Sequence, residues 1–301
     1  MKARLTIILL FSCLSLSAGT GENFATRFHE AQKRQNTSEI ERLLKTAADS
    51  EKNNPDYYAL AANYRWGMSQ SINISTKPPV DGDYSIQDPK TGKAVGSIST
   101  VGDSNPKIKE NALALVKEGF RRFPKRADIC LGLACIQREM GLDDACVETL
   151  ESLLNIAAQS PGELLWTENG KIPGKTAIFI PEAVNDYATY YFRKETKEDD
   201  VRCERICKSA IKFFPDHPYA FNVLGGLWSA HGDNAKSIEY FKRGLERGPE
   251  DPLILLNMGD VYLKLNKKKD AIAVFKQVFN LKTATDDNKK QAQDKLASLK
   301  E

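Results

Sequence analysis

Histidine is scarce in this chain of 301 residues: there are three, His29, His217 and His231. They stand far apart in the sequence, which leaves few options for metal or acid–base chemistry. No His-Glu-x-x-His run and no Ser/His/Asp order stands out. An excess of one charge is absent too. Lys and Arg number 43 against 40 acidic residues, a net of +3, too even a balance to argue for nucleic acid or a membrane surface. The single apolar run near the start is too short to span a bilayer, so no transmembrane anchor is expected in the mature chain.

Cysteine is sparse and carries no metal-binding spacing. Beyond Cys13 there are five: Cys130, Cys135, Cys146, Cys203 and Cys207. Cys203 and Cys207 stand one helical turn apart, with no paired histidine and no Cys-x-x-Cys. The five read as buried thiols acting as small hydrophobes, and an odd count leaves at least one unpaired in an oxidising compartment. Gly170-Lys-Ile-Pro-Gly174-Lys175-Thr176 has the composition of a phosphate loop, but three residues separate its glycines where that loop needs four, and no strand-to-helix unit surrounds it. The expectation is a non-catalytic protein without metal or cofactor.

What is present begins with an export signal. Lys2 and Arg4 precede the apolar run Leu5–Phe11, and Leu-Ser-Leu-Ser-Ala-Gly follows. A charged start, an apolar run and a zone of small residues read as a signal peptide over 1–18, cleaved after Ala18. Leu10-Phe11-Ser12-Cys13 offers a second reading, lipid attachment at Cys13, with Phe11 a poor fit. Either way the mature chain, 19–301, leaves the cytosol: periplasmic or extracellular on the first reading, a lipid-anchored outer-membrane lipoprotein on the second.

The mature chain is organised around residues 218–283. Pro218 and Pro252 are 34 apart, as are Pro215 and Pro249. One copy reads Phe221-x-x-Leu224-Gly225-x-x-Trp228, then Ser237-x-x-x-Phe241-x-x-Gly244. The next reads Leu255-x-x-Met258-Gly259-x-x-Tyr262, then Ala271-x-x-x-Phe275-x-x-Val278. Large and small residues recur at intervals of three and four, the mark of two short amphipathic helices per unit. His231-Gly232-Asp233 reads as the turn between them. The pattern resembles the tetratricopeptide repeat (TPR) family. Counting outward places units near 21, 55, 127, 184, 218 and 252. The intervals are 34, 72, 57, 34 and 34, so two insertions interrupt a regular array. In the fourth unit Tyr191 and Lys194 replace the usual small and aromatic residues.

The first insertion, about 70–105, carries strand-like runs at Tyr84–Gln87 and Ala94–Ile98 around a Pro/Gly turn and reads as a β-hairpin. The second, about 161–183, holds Leu165-Trp166-Thr167 and Thr176–Phe179 and reads as a hairpin or ordered loop. Residues 285–300 form a polar helix with Ala292, Leu296 and Leu299 on one face, suited to cap the array. The expected fold is therefore an all-α solenoid of about six TPR-like helix pairs, with a capping helix and two small β-hairpin or loop insertions.

The resemblance implies protein or peptide binding in a groove lined by the first helix of each unit. Carried onto this chain, the groove positions are Asn63, Trp66, Arg138, Phe192, Asn222, Gly226, Asp260 and Lys264. They are mixed in charge and lack the Lys/Asn/Arg set with which some TPR domains clamp a C-terminal carboxylate. The leading reading is an exported interaction scaffold of the cell envelope. A glycan-binding protein that stacks its ligand on Trp66 or Trp166 is an alternative, and an accessory regulator of an envelope enzyme is another.

Overall fold

The computed structural model describes residues 23–69, 71–75, 84–87, 94–101, 105–167 and 170–299. The expected signal segment 1–18 and Cys13 lie outside the described residues. Among these residues the chain is all-α, built from six consecutive helix pairs followed by one further helix. The pairs are α1 (Phe24–Lys33) with α2 (Thr37–Ser50), α3 (Pro55–Met68) with α4 (Pro106–Arg122), and α5 (Ala127–Glu139) with α6 (Asp143–Gln159). Then come α7 (Thr176–Phe192) with α8 (Lys197–Phe213), α9 (Tyr219–Ala230) with α10 (Asn234–Leu245), and α11 (Pro252–Lys264) with α12 (Lys268–Asn280). The last helix is α13 (Asp286–Ser298). The chain divides into two compact units, 1–132 with 165–170, and 133–164 with 171–301.

Local chemistry explains where the helices start. Asn54 and Asp251 each precede a proline at the first helical position and accept a backbone N–H with their side chains. Asp233 caps α10 in the same way, and Thr285 with Asn288 forms a reciprocal cap on α13. Between the helices of a pair the chain reverses through one left-handed residue. Gly141 (φ 71°) and Gly232 (φ 80°) take that place in the third and fifth pairs, and Gln35, Glu195 and Asn266 in the first, fourth and sixth.

Those turn residues correct the register of the fourth unit. Gln35, Gly141, Gly232 and Asn266 each lie fourteen residues past unit starts at 21, 127, 218 and 252. Glu195 lies fourteen past Pro181, not past Val184. The buried face of α7 agrees: Val184, Tyr187, Ala188 and Tyr191 point inward. Counted from Pro181, Ala188 is the small eighth residue and Tyr191 the aromatic eleventh, so the helix keeps the repeat pattern that a start at 184 seemed to break. The unit gains its three extra residues at the start of α8. The second insertion is correspondingly shorter. Thr176–Phe179, expected as strand-like, is the first turn of α7, and Pro181 sits inside that helix, where it removes one backbone donor.

The first insertion is a three-stranded antiparallel sheet, β1 (Ser71–Ser75), β2 (Tyr84–Gln87) and β3 (Ala94–Val101), in the order β1-β3-β2. It is thus one strand larger than the expected hairpin. Ser71-Ile-Asn-Ile-Ser alternates with period two, the signal that marks β1. Ile98 of β3 faces Ile74 on one side and Tyr84 on the other. The second insertion contains only the two-residue strands β4 (Leu165–Trp166) and β5 (Gly170–Lys171).

In the first unit the core gathers Phe24, Phe28, Leu43, Leu44, Tyr57 and Tyr58, with Leu115 of α4 and Phe123 just after it against this core. The α3–α4 pair closes around Gly119, whose Cα backs onto Tyr58; an added Cβ would come within 2.7 Å of the Tyr58 Cβ. Beside it lies a buried ion triad. Arg126, 1% exposed, meets Asp128 at 2.7 Å and Asp56 at 2.8 Å. Thr167 of the second insertion donates to the same Asp128 carboxylate at 3.2 Å, and the Leu165 N–H donates to the Lys125 carbonyl. In the second unit the core runs from Ile238 and Phe241 through Leu255, Val261 and Phe275 to Ala292 of α13.

Candidate partner-binding face

In the second unit the first helices stack in the order α7, α9, α11, α13. The outward side chains of α9, α11 and α13 form a ladder of hydrogen bonds. Asn257 Nδ2 donates to Asn222 Oδ1 at 2.9 Å. Lys264 Nζ donates to Ser229 Oγ at 2.7 Å. Lys295 Nζ donates to Asp260 Oδ1 at 2.6 Å, with both side chains 43% exposed. Each rung joins residues 35 apart. The repeat of 34 brings the next first helix alongside, and the rungs fall one residue beyond it. Thus α13, which starts 34 residues after α11, occupies the place of a seventh first helix.

Three of the groove positions expected from sequence, Asn222, Asp260 and Lys264, lie on these rungs. A fourth, Gly226, faces Phe192, the fifth; a Cβ added to Gly226 would stand 3.6 Å from the Phe192 ring. The sixth, Arg138, is only 11% exposed at its side chain. Its guanidinium lies 4.8 Å from the Tyr190 ring centroid and 5.2 Å from that of Tyr187, and it meets Glu139 at 2.7 Å. The ammonium of Lys194 stands 4.8 Å from the same Tyr190 ring, so two cations share one aromatic. Asn63 and Trp66 belong to the first unit. Asn63 is exposed, and the half-buried Trp66 ring has the Lys109 ammonium 5.9 Å from its centroid.

Sequence reading missed Ser229, Asn257 and Lys295 as partners in the ladder. The spacing of 35 was the available signal: Asn222 with Asn257, Ser229 with Lys264 and Asp260 with Lys295 are complementary pairs at that interval. It missed Tyr190 and Lys194 as a cation–aromatic set, because the fourth unit was read three residues out of register.

Four of the five thiols are buried and Cys135 is half-buried. Burial pushes the Cys146 thiol up to about 11. The Cys207 thiol is raised by its hydrogen bond with Cys203 and by burial, and Cys135 by burial. Thiols raised in this way are poor nucleophiles at neutral pH. Among the described residues no group of three His, Cys, Asp or Glu side chains could hold a metal ion, and no helix is long and apolar enough to cross a membrane. The chemistry on this face is that of hydrogen bonding, cation–aromatic contact and apolar packing.

Comparison with known proteins follows the same lines. A tetratricopeptide repeat profile matches residues 253–285, the stretch of α11 and α12. No curated protein matches the chain at the sequence level. Solved structures similar to it include a tetratricopeptide repeat protein from Parabacteroides merdae, at 14% identity and TM-score 0.40 over 92% of this chain and 91% of that one. Another is TTC0263, a TPR protein of Thermus thermophilus, at 18% identity and TM-score 0.38 over 64% and 92%. A third is YrrB, described as a TPR protein with an unusual peptide-binding site, at 12% identity and TM-score 0.39 over 63% and 84%.

Proposed function

For a protein built of tetratricopeptide repeats, we propose an exported, non-catalytic interaction scaffold that holds a protein or peptide partner against α7, α9 and α11. The observation that carries this reading is the ladder. Asn222–Asn257 and Ser229–Lys264 leave amide, hydroxyl and ammonium groups half-exposed or exposed, and Phe192 lies against Gly226 of the same α9. An extended peptide satisfies such groups with its backbone and fills the aromatic site with a side chain. The mixed charge of the face favours a partner that is itself mixed, over a strongly acidic or basic one.

Export rests on Lys2, Arg4 and the apolar run that follows. The mature protein is expected to begin near Gly19 and to act in the periplasm or outside the cell; lipid attachment at Cys13 is the alternative route to the envelope. N-terminal sequencing of the native protein decides between them, and recovery of Met1 or Lys2 contradicts both.

The first insertion is the second part of the proposal. Its sheet enters between α3 and α4 and adds surface that the repeats do not supply, and insertions into repeat arrays gather at binding faces. The test replaces residues 84–98 with a Gly/Ser linker and, separately, changes Asn222 and Lys264 to Ala. Loss of partners recovered by the wild type, in variants with unchanged circular dichroism, supports the reading. Full retention by both variants places the binding surface elsewhere.

A further inference from the structure

The first unit carries a cleft of about 610 Å³ between α2 and α4, with α3 as its floor. That volume is in the range of pockets that take a small ligand or a few side chains, roughly 300–1,000 Å³. Its rim is cationic: Arg42 and Lys45 come from α2 and Arg65 from α3, against the single carboxylate of Glu41. Glu41 is already engaged. Both its oxygens accept from the Arg65 guanidinium, at 2.5 and 2.6 Å, and that fork holds the Arg65 side chain in one place. Among the described residues Arg42 has one ion-pair contact, a long, exposed one with Glu39 at 3.7 Å. Lys45, the Tyr57 hydroxyl and the Asn111 amide make no side-chain hydrogen bond or ion pair among the described residues, so the Lys45 ammonium is the unpaired charge over the cleft, with the Asp49 carboxylate near the Tyr57 hydroxyl.

Beneath the rim the walls are apolar. Leu44, Ala48, Ala61 and Leu115 line the cleft; the two alanines, one on the α2 wall and one on the α3 floor, leave the space open. Charged above and apolar below, the cleft is complementary to a carboxylate beside an aliphatic side chain. We infer that it binds a short acidic segment of a protein partner, an Asp or Glu next to a Leu, Ile or Val. The carboxylate is received by Lys45 and Arg42 with the Tyr57 hydroxyl and the Asn111 amide as further donors, and the aliphatic group sits against Leu44 and Leu115. A small free acid would use the cationic rim but gain nothing from the apolar walls. The site involves no residue of the α7–α9–α11 face, so it stands or falls independently of the groove reading.

The probe is the peptide acetyl-Glu-Leu-Glu-amide, titrated into 15N-labelled protein, with acetyl-Gln-Leu-Gln-amide as its neutral partner and glutarate as the free acid. The expected result is amide shifts clustered at residues 41–65 and 111–115 with the acidic peptide, and binding at least about tenfold weaker for the neutral peptide and for glutarate. Arg42→Ala with Lys45→Ala, two exposed changes outside the core, weakens the acidic peptide by about tenfold or more while the spectrum stays folded. Equal binding of the two peptides, equal binding of glutarate, binding that survives the double change, or shifts confined to other helices would each overturn the proposal.

Discussion

Gly225 of α9 lies flat against the ring of Phe241 on its partner helix, so close that a Cβ on the glycine would fall inside the van der Waals envelope of the ring. Gly259 and Phe275 repeat the arrangement one unit later. Both rings are at most 1% exposed.

The contact makes the glycine a matter of packing, since both glycines are helical. In a helix Ala is otherwise favoured over Gly by about 1 kcal/mol. Overpacking of a filled core costs about 1–3 kcal/mol. The expected outcome for Gly225→Ala or Gly259→Ala is therefore net destabilisation, seen as a lower urea midpoint. Gly67, with open space around the same position, is the control, and Gly67→Ala is expected to be neutral or stabilising.

Arg126 provides the second prediction. Removing one partner of a buried ion pair leaves uncompensated charge and costs about 3–5 kcal/mol. Here two carboxylates, Asp56 and Asp128, would be left facing each other without the guanidinium. Arg126→Met is expected to lower the thermal midpoint sharply. Adding Asp56→Asn and Asp128→Asn is expected to restore much of the loss. If the triple variant is no more stable than the single one, the charge account of this site is wrong.

The six pairs and the capping helix were legible in the sequence because each unit repeats its packing residues at fixed spacing, and Phe241 with Phe275 shows that the same positions do the same physical work. The third strand of the first insertion was missed because Ser71–Ser75 is short and contains only two apolar residues. The fourth unit was misread because Tyr187, Tyr190 and Tyr191 stand so close that two registers fit; the inward turn of Ala188 and the turn at Glu195 resolve them. On the candidate face, single positions followed from the repeat, but the rungs between helices did not. The rungs join residues 35 apart while the repeat itself is 34, so positions read at the repeat spacing pass over them.

His217 gives a pH dependence. Its ring packs edge-on against Tyr219 at 4.7 Å between centroids, and burial lowers its pKa from the ordinary value. A depressed pKa means that the fold favours the neutral ring. Stability from this group is present above the unfolded value of about 6.5 and is lost as pH falls through the lower folded value. Between pH 7 and pH 5 the wild type is expected to lose thermal stability faster than His217→Phe. Parallel curves for the two proteins would show that His217 is not the responsible group.

The central claim is that a partner lies on the face of α7, α9 and α11, and site-specific photo-crosslinking tests it most directly. The photoreactive residue p-benzoylphenylalanine replaces Asn257 or Lys264, exposed on α11, and in control proteins Glu239 on α10 or Lys276 on α12, also exposed. Each variant is expressed as the full-length chain in its own host and irradiated in intact cells. The account predicts a discrete adduct of one partner mass from positions 257 and 264 and none from 239 and 276. Adducts from the controls alone, or the same adduct from all four positions, would contradict it.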